Sequence, residues 1–441
     1  MSKFQEFRSK YATFVYDRYE YVIEGELCKV QFFFQIPGLA EFAPKWTFPV
    51  SKSVDEKLLE RLIFNLGMVE SISYYKCVCP KVVEIRCGNL TPDQKAWWRK
   101  LYFNGLGEFM YQNDIVIDME ELVSFVTPGE DVEILHDNAR YEGLIIPVGG
   151  GKDSVVSLEL LKEEEPYTYH INDSYAISTV IDIYNGKARD YNPKRTLDKR
   201  MIELNQEGYL NGHTPFSAIV AFSSVITAFL NGKKYIALSN ETSANEPTVK
   251  DSFVNHQYSK TYEFEKDFCD YMNTIVDSDI HYFSFLRALN ELQIASVFTR
   301  YEKYFKDFRS CNVGSKEGLW CGHCPKCLFV YIIMSPFLSD DVLYDIFGKK
   351  LFDDEGLEHY FQQLMGKAEN KPFECVGTTT EVCAALRTYV ENERPGVLPQ
   401  RNKNFILENG CNIDELLGEW VNDHNIPERY LKVLEKSMGR N

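Results

Sequence analysis

The chain predicts a mixed α/β fold: a parallel, doubly wound sheet at its centre, an α+β unit before it and a small, mostly helical region after it. Three observations carry that prediction. Residues 144–148 form an apolar run that ends in three glycines, and the segment from Ser154 onward is apolar with a helical period. Short apolar runs then alternate with helical patterns from about 141 to 340. Hairpin and helix-capping signals are mixed before that stretch, and only helical signals follow it. The expected units are therefore residues 1–140, 141–340 and 341–441.

In the first unit, 19–23 and 27–35 read as strands joined at Glu24-Gly25-Glu26. Ser53 and Glu56 fit a capping box for a helix whose apolar face is Leu58, Leu59, Leu62, Ile63 and Leu66, with Gly67 as its end. Residues 82–86 read as a strand. Thr91 and Gln94 form a second capping box, with Pro92 at the first helical position. Trp97 and Trp98 in that helix are expected to pack in a core or an internal interface. In the second unit, 144–148 is a strand, 155–162 a helix and 167–171 a second strand, whereas 176–183 fits either type. Residues 216–230 form a strong helix closed by Asn231-Gly232, and 235–239 is another short strand. Ligands of such sheets bind beyond the carboxyl ends of the strands. The loop 149–154 and the polar stretch 240–246 both follow strands directly, so they can face one pocket. In the third unit, 380–392 and 412–421 read as helices.

A length of 441 residues implies two or three domains. The net charge of −17 disfavours general nucleic-acid binding, because acidic surfaces repel phosphate backbones. No apolar run is long enough to span a membrane, and the first residues lack the apolar core of a signal peptide. A cytoplasmic protein without a membrane partner is expected. Twelve cysteines in that compartment should be thiols, metal ligands or catalysts rather than a disulfide frame.

The segment Gly149-Gly150-Gly151-Lys152-Asp153-Ser154 places a glycine turn between a strand and a helix N-terminus. Free backbone N–H groups and the helix dipole make such a turn an anion site, and glycine lets the backbone approach a phosphate closely. The spacing matches neither the Walker loop nor the dinucleotide fingerprint. A second motif, C-x9-C-x2-C-x2-C, comprises Cys311, Cys321, Cys324 and Cys327. Four thiolates at these spacings can close a tetrahedral, structural zinc site, with Lys326 and His323 tempering its charge. An iron–sulfur cluster, a redox pair and four buried thiols are the alternatives.

The glycine loop resembles the pyrophosphate loop, S-G-G-x-D-[ST], of the PP-loop ATP pyrophosphatases. These enzymes cleave ATP between its α- and β-phosphates and activate a substrate as an adenylate. The resemblance implies that Gly150, Gly151 and Ser154 hold the diphosphate, that Asp153 acts near a magnesium ion and that Lys152 fills the variable position. Gly149 replaces the first serine of that pattern. Together with the late cysteines, the loop is also similar to the 7-cyano-7-deazaguanine synthases, which are much shorter. A fuller series exists. It runs through Gly105-Leu106-Gly107-Glu108-Phe109, the triple-glycine loop, Leu204-Asn205 and Asn211-Gly212-His213-Thr214-Pro215-Phe216-Ser217-Ala218. It continues through Ser239-Asn240-Glu241, Ser243-Ala244-Asn245-Glu246 and Asn255-His256-Gln257-Tyr258-Ser259-Lys260. Over nearly its whole length the chain resembles the UDP-N-acetyl-α-D-muramoyl-L-alanyl-L-glutamate epimerases.

That resemblance implies an isomerase that inverts the terminal L-glutamate of UDP-N-acetylmuramoyl-L-alanyl-L-glutamate for peptidoglycan synthesis. ATP and magnesium would be consumed and required respectively, and AMP and diphosphate released. Candidates for proton transfer are His213 and His256, whose imidazoles titrate near neutrality, with Lys260, Tyr258 and Asp153. Asn240 and Glu241 are candidates for the nucleotide and its magnesium, as is Glu246. Arg195, Arg287 and Lys260 could bind the uridine diphosphate or a substrate carboxylate. The turn at 374–381 could touch substrate. Another adenylating enzyme, such as a nucleobase synthase, a tRNA-modifying enzyme or an amide ligase, and a nucleotide-binding regulator are the competing readings.

Overall fold

A computed structural model of the chain describes residues 2–184, 189–314 and 317–440. Its N-terminal half is built on a seven-stranded sheet. The strand order is Lys194–Thr196, Lys45–Pro49, Leu27–Ile36, Thr13–Glu24, Val82–Ile85, Ser124–Val126, with Ala40–Phe42 also paired to Leu27–Ile36. The first four strands pair antiparallel and the last three parallel. The hairpin expected at Gly25 is present. The edge strand Lys194–Thr196 comes from well beyond residue 140.

Helix Glu56–Tyr75 crosses this sheet and departs from the sequence expectation at both ends. Asp55, not Ser53, caps it, accepting from the Leu58 N–H at 3.1 Å. Gly67 does not end it. A Cβ there would collide with the Tyr16 hydroxyl and ring, so the glycine serves close packing in mid-helix. Burial of every residue from Leu62 to Tyr75 stabilises the extra turns, because the helix lies between the sheet and helix Phe216–Asn231. Trp98, fully buried, donates to the Tyr271 hydroxyl at 2.8 Å and stacks on Phe222.

The second sheet is parallel throughout, in the order Asp190–Tyr191, Tyr167–Tyr169, Leu144–Pro147, Tyr235–Leu238, His281–Ser284. Successive strand residues feed two separate hydrophobic cores. Ile145, Ile236, Leu238 and Tyr282 join one, while Leu144, Ile146, Ala237 and Phe283 join the other. Period-two alternation puts those sets on opposite faces, so both faces are covered. The chain moves outward one way from Leu144–Pro147, then returns to lay Tyr235–Leu238 on its other side. The carboxyl ends of these two strands therefore form the topological switch point.

The ambiguous segment 176–183 is helical, as Tyr175–Tyr184, with Ala176, Val180 and Ile181 buried on one side. Strands Asp190–Tyr191 and His281–Ser284 carried no signal that stood out in the sequence, since each is short and half-polar. In the C-terminal region, helices Thr379–Glu391 and Ile413–Gly418 lie within a residue or a few of the expected bounds. Among the described residues no helix is long and apolar enough to cross a membrane.

Candidate active site

A cleft of about 440 Å³ opens at the switch point. Gly149, Gly151, Asp153 and Ser154 form one wall, Ser239, Asn240 and Lys260 another, and Ser310, Asn312, Lys326 and Cys375 close the third. Helix Lys152–Leu160 points its N-terminus at this space, starting three residues earlier than the sequence suggested, and no side chain caps it. Gly150 holds φ at +81°, a left-handed conformation that favours glycine, and its carbonyl accepts from the Arg309 N–H at 2.8 Å. A Cβ at Gly150 would lie 2.8 Å from the Ala176 backbone carbon, and one at Gly151 would lie 2.7 Å from the Ser310 hydroxyl. A Cβ at Gly149 meets nothing within 4 Å. The loop is thus packed tightly from behind and bare in front. Ser154 turns its hydroxyl back onto the Gly151 carbonyl at 3.0 Å.

Beneath the loop lies a cluster of buried charge. The Lys152 side chain is 1 % exposed and ion-pairs with Glu291 and Asp153 instead of lining the cleft. Burial opposes ionisation of Asp153, yet Lys152, Lys326 and Lys260 hold its carboxyl below the ordinary range. Glu241 goes the other way, since burial and the nearby Asp153 charge push it up. Burial also raises Glu291, to about 7. Asp153 and Glu241 are close enough for the charge of one to disfavour ionisation of the other. Glu246 is tied to Lys371 at 2.9 Å. Neither arginine singled out in the sequence is free to bind substrate. Arg195 pairs with fully buried Glu70 at 2.9 Å, and Arg287 donates to the carbonyls of Glu241 and Lys260 at 2.5 and 2.6 Å. They brace the scaffold, and Arg287 holds the Glu241 and Lys260 loops together.

His213 and His256 are neighbours, with ring centroids 4.4 Å apart. Both face Glu108, which comes from helix Gly107–Gln112 of the N-terminal half. Among the described residues that line the cleft, neither histidine appears. His256 connects to it through Cys375. Burial disfavours a charged His256, but hydrogen bonds to Cys375 and Glu108 outweigh this and lift its pKa to about 9. Burial and the His256 charge press His213 down to about 4. Lys260 donates to the Cys375 sulfur at 3.2 Å. Burial alone would raise the Cys375 thiol, yet Lys260, His256 and Lys326 hold it well below the ordinary value. Glu108 was visible only as part of a motif and Cys375 only as part of a turn. Their convergence joins positions 267 residues apart, by the arithmetic 375 − 108, which no local pattern can reveal.

The four clustered cysteines do meet. Their sulfurs stand 3.7 Å apart for Cys311–Cys324, 3.6 Å for Cys321–Cys327 and 3.5 Å for Cys324–Cys327. Four ligands at the usual Zn–S length define a tetrahedron of edge about 3.8 Å. The donors fit one zinc-sized ion, and thiolates sharing out the irons of a cluster would need wider spacing. Backbone N–H groups of Gly314, Gly322 and Cys327 point at the sulfurs at 3.3–3.4 Å. Lys326 does not temper these thiolates directly, because its ammonium group donates to the Cys375 carbonyl. Cys311 and its neighbours also line the cleft, so this cluster braces one cleft wall.

Comparison with known sequences finds two domain families, described as the MurL N-terminal domain over residues 5–285 and the MurL C-terminal domain over 307–399. A relative from Xanthomonas oryzae pv. oryzae (strain MAFF 311018) is 32 % identical over 331 residues, which is 73 % of this chain and 72 % of its own. One from Micromonospora sp. (strain ATCC 39149 / NRRL 15099 / SCC 1413) is 34 % identical over 348 residues, 76 % of each chain. One from Salinispora tropica (strain ATCC BAA-916 / DSM 44818 / JCM 13857 / NBRC 105044 / CNB-440) is 33 % identical over 348 residues, 77 % of this chain and 75 % of its own. All three are named UDP-N-acetyl-alpha-D-muramoyl-L-alanyl-L-glutamate epimerase. The chain belongs to the MurL epimerase family. It is accordingly an isomerase. No solved structure matches it. The MurL N-terminal domain takes in both large sheets, in keeping with the single hydrophobic core that runs from Phe4 to Tyr282 between them. The MurL C-terminal domain carries the four cysteines, Lys326 and Cys375. The cleft therefore lies where the two MurL domains meet, a common place for a ligand.

Proposed function

We propose that the protein inverts Cα of the terminal L-glutamate in UDP-N-acetylmuramoyl-L-alanyl-L-glutamate, after joining the glutamate α-carboxylate to AMP at the expense of ATP. The observation that carries this reading is the bare, uncapped helix N-terminus at Gly149-Gly150-Gly151, presented to a cleft at the switch point of a parallel sheet. In this reading the loop works as in the PP-loop ATP pyrophosphatases, with its N–H groups and Ser154 holding the leaving diphosphate. Lys260 and Lys326 supply positive charge from the facing wall. Magnesium would be held by Asp153 and Glu241 and would neutralise charge on that diphosphate.

Activation answers a chemical need. Proton loss beside a free carboxylate builds a dianion, and a positioned base contributes only about 10²–10⁴-fold, roughly 3–5 kcal/mol. An adenylate removes the carboxylate charge and lets its carbonyl take the electrons as an enolate. Donors aimed at that oxygen add about 3–4 kcal/mol each. Return of the proton to the other face and hydrolysis of the adenylate give the D-product, which would feed peptidoglycan synthesis in the cytoplasm. The test incubates protein, ATP, magnesium and the dipeptide substrate. The expected products are AMP, diphosphate and D-glutamate by chiral analysis. ADP as the sole nucleotide product would end the adenylate reading.

A further inference from the structure

Resting on the adenylate reading above, we propose that Cys375 exchanges the Cα proton of the activated glutamate on one face, with Lys260 and the Glu108–His256 pair as its positioning residues. Cys375 lines the same cleft as Gly149, Asp153 and Ser154, so its sulfur faces the space next to the diphosphate site, where the adenylate would be formed. Its sulfur receives the Lys260 ammonium at 3.2 Å, and the charge of His256, which is paired with Glu108, also acts on it. Its carbonyl is pinned by Lys326. The charged groups facing this sulfur are thus Lys260, His256 and Lys326, with Glu374 adjacent in the chain.

No packing role needs cations gathered around a thiol. The structural cysteines of this chain behave oppositely: burial pushes Cys28 and Cys77 up to about 12 and Cys383 to about 11. Cys375 also lies outside the four-sulfur cluster, and it is only partly buried. A thiolate so held can take the Cα proton and become a neutral thiol. The C–H electron pair moves into the Cα–carbonyl bond, and the carbonyl π pair moves onto oxygen as an enolate. A proton drawn from solvent then reaches the opposite face, and the thiol proton passes to solvent. Neither histidine needs to touch the substrate in this scheme. That agrees with their absence from the described cleft lining.

The experiment runs full-length wild-type, Cys375→Ala and Cys375→Ser enzymes in D2O with ATP, magnesium and the UDP-muramoyl dipeptide. Diphosphate release and Cα deuterium are followed side by side. Cys375→Ala is expected to keep diphosphate release within a few-fold while Cα exchange falls about 10²–10⁴-fold. Exchange within tenfold of wild type overturns the proposal, and so does equal loss of both signals, which would put Cys375 in adenylation. Wild-type exchange without diphosphate would refute the adenylate reading alone, and loss of exchange in Cys375→Ala would still uphold the cysteine. A milder variant, His256→Gln, gives a second readout. Loss of its charge should move the acid limb of the exchange rate to higher pH with KM for the dipeptide little changed. An unmoved limb overturns the positioning.

Discussion

Replacing the first two glycines of the loop one at a time separates a ligand-facing position from a packed one. In Gly149→Ala the new methyl meets no atom within 4 Å, and φ at this residue is not in the left-handed region. The fold should therefore be unharmed or stabilised by about 0.4–1 kcal/mol, through a less flexible unfolded chain. The methyl projects into the cleft where the diphosphate would sit. Disrupting one hydrogen bond to a charged oxygen costs about 1.5–3 kcal/mol, or roughly 10- to 150-fold in affinity for ATP. In Gly150→Ala the opposite holds. The left-handed φ costs about 1–2 kcal/mol, and the methyl forced against the Ala176 backbone at 2.8 Å adds about 1–3 kcal/mol. Urea unfolding measures the first quantity, and ATP titration with diphosphate release measures the second. Unchanged ATP affinity in Gly149→Ala would refute the placement of phosphate at this loop. Unchanged stability in Gly150→Ala would refute the packing behind it.

Lys152→Met should cost about 3–5 kcal/mol in urea unfolding, because Glu291 keeps a buried carboxylate without its partner; adding Glu291→Met should restore most of it, and a loss below 1 kcal/mol in the single variant counts against the pair. Purified protein should carry one zinc per chain by atomic absorption, and Cys321→Ser should lose the metal and weaken ATP binding through the loosened Ser310–Asn312 wall; iron in place of zinc contradicts the sulfur geometry. The raised pKa of His256 stabilises the fold fully below its unfolded value of about 6.5, and that stability is lost as pH rises through about 9. At about 1.4 kcal/mol per pKa unit the window holds roughly 3 kcal/mol. Glu108→Gln should flatten this decline in urea midpoints between those pH values, and a slope equal to wild type would refute the pairing.

Local chemistry made much of the molecule legible. The glycine loop, the second capping box and the Asn231-Gly232 stop each depend on contacts within a few residues, and all three are where the sequence placed them. The same holds for the four cysteines, whose spacing already limits how far apart their sulfurs can be. Legibility failed wherever distant packing set the outcome. Gly67 carries the mark of a helix end, yet Tyr16 needs its missing Cβ in mid-helix. Arg195 and Arg287 looked available for anionic substrate until buried Glu70 and two loop carbonyls claimed them.

By itself the chain determined that a strand, a glycine turn and a helix would follow one another at 144–160 and leave the helix N-terminus uncapped, because each step is encoded by neighbouring residues. Only the tertiary structure decided which titratable groups line that space or stand directly behind it. Glu108, the pair His256 and Lys260, and Cys375 come from three distant stretches of the polypeptide, and the charges of His256, Lys260 and Cys375 are set by burial and by one another. Coulomb energy depends on distance through space, and sequence separation carries almost none of that information.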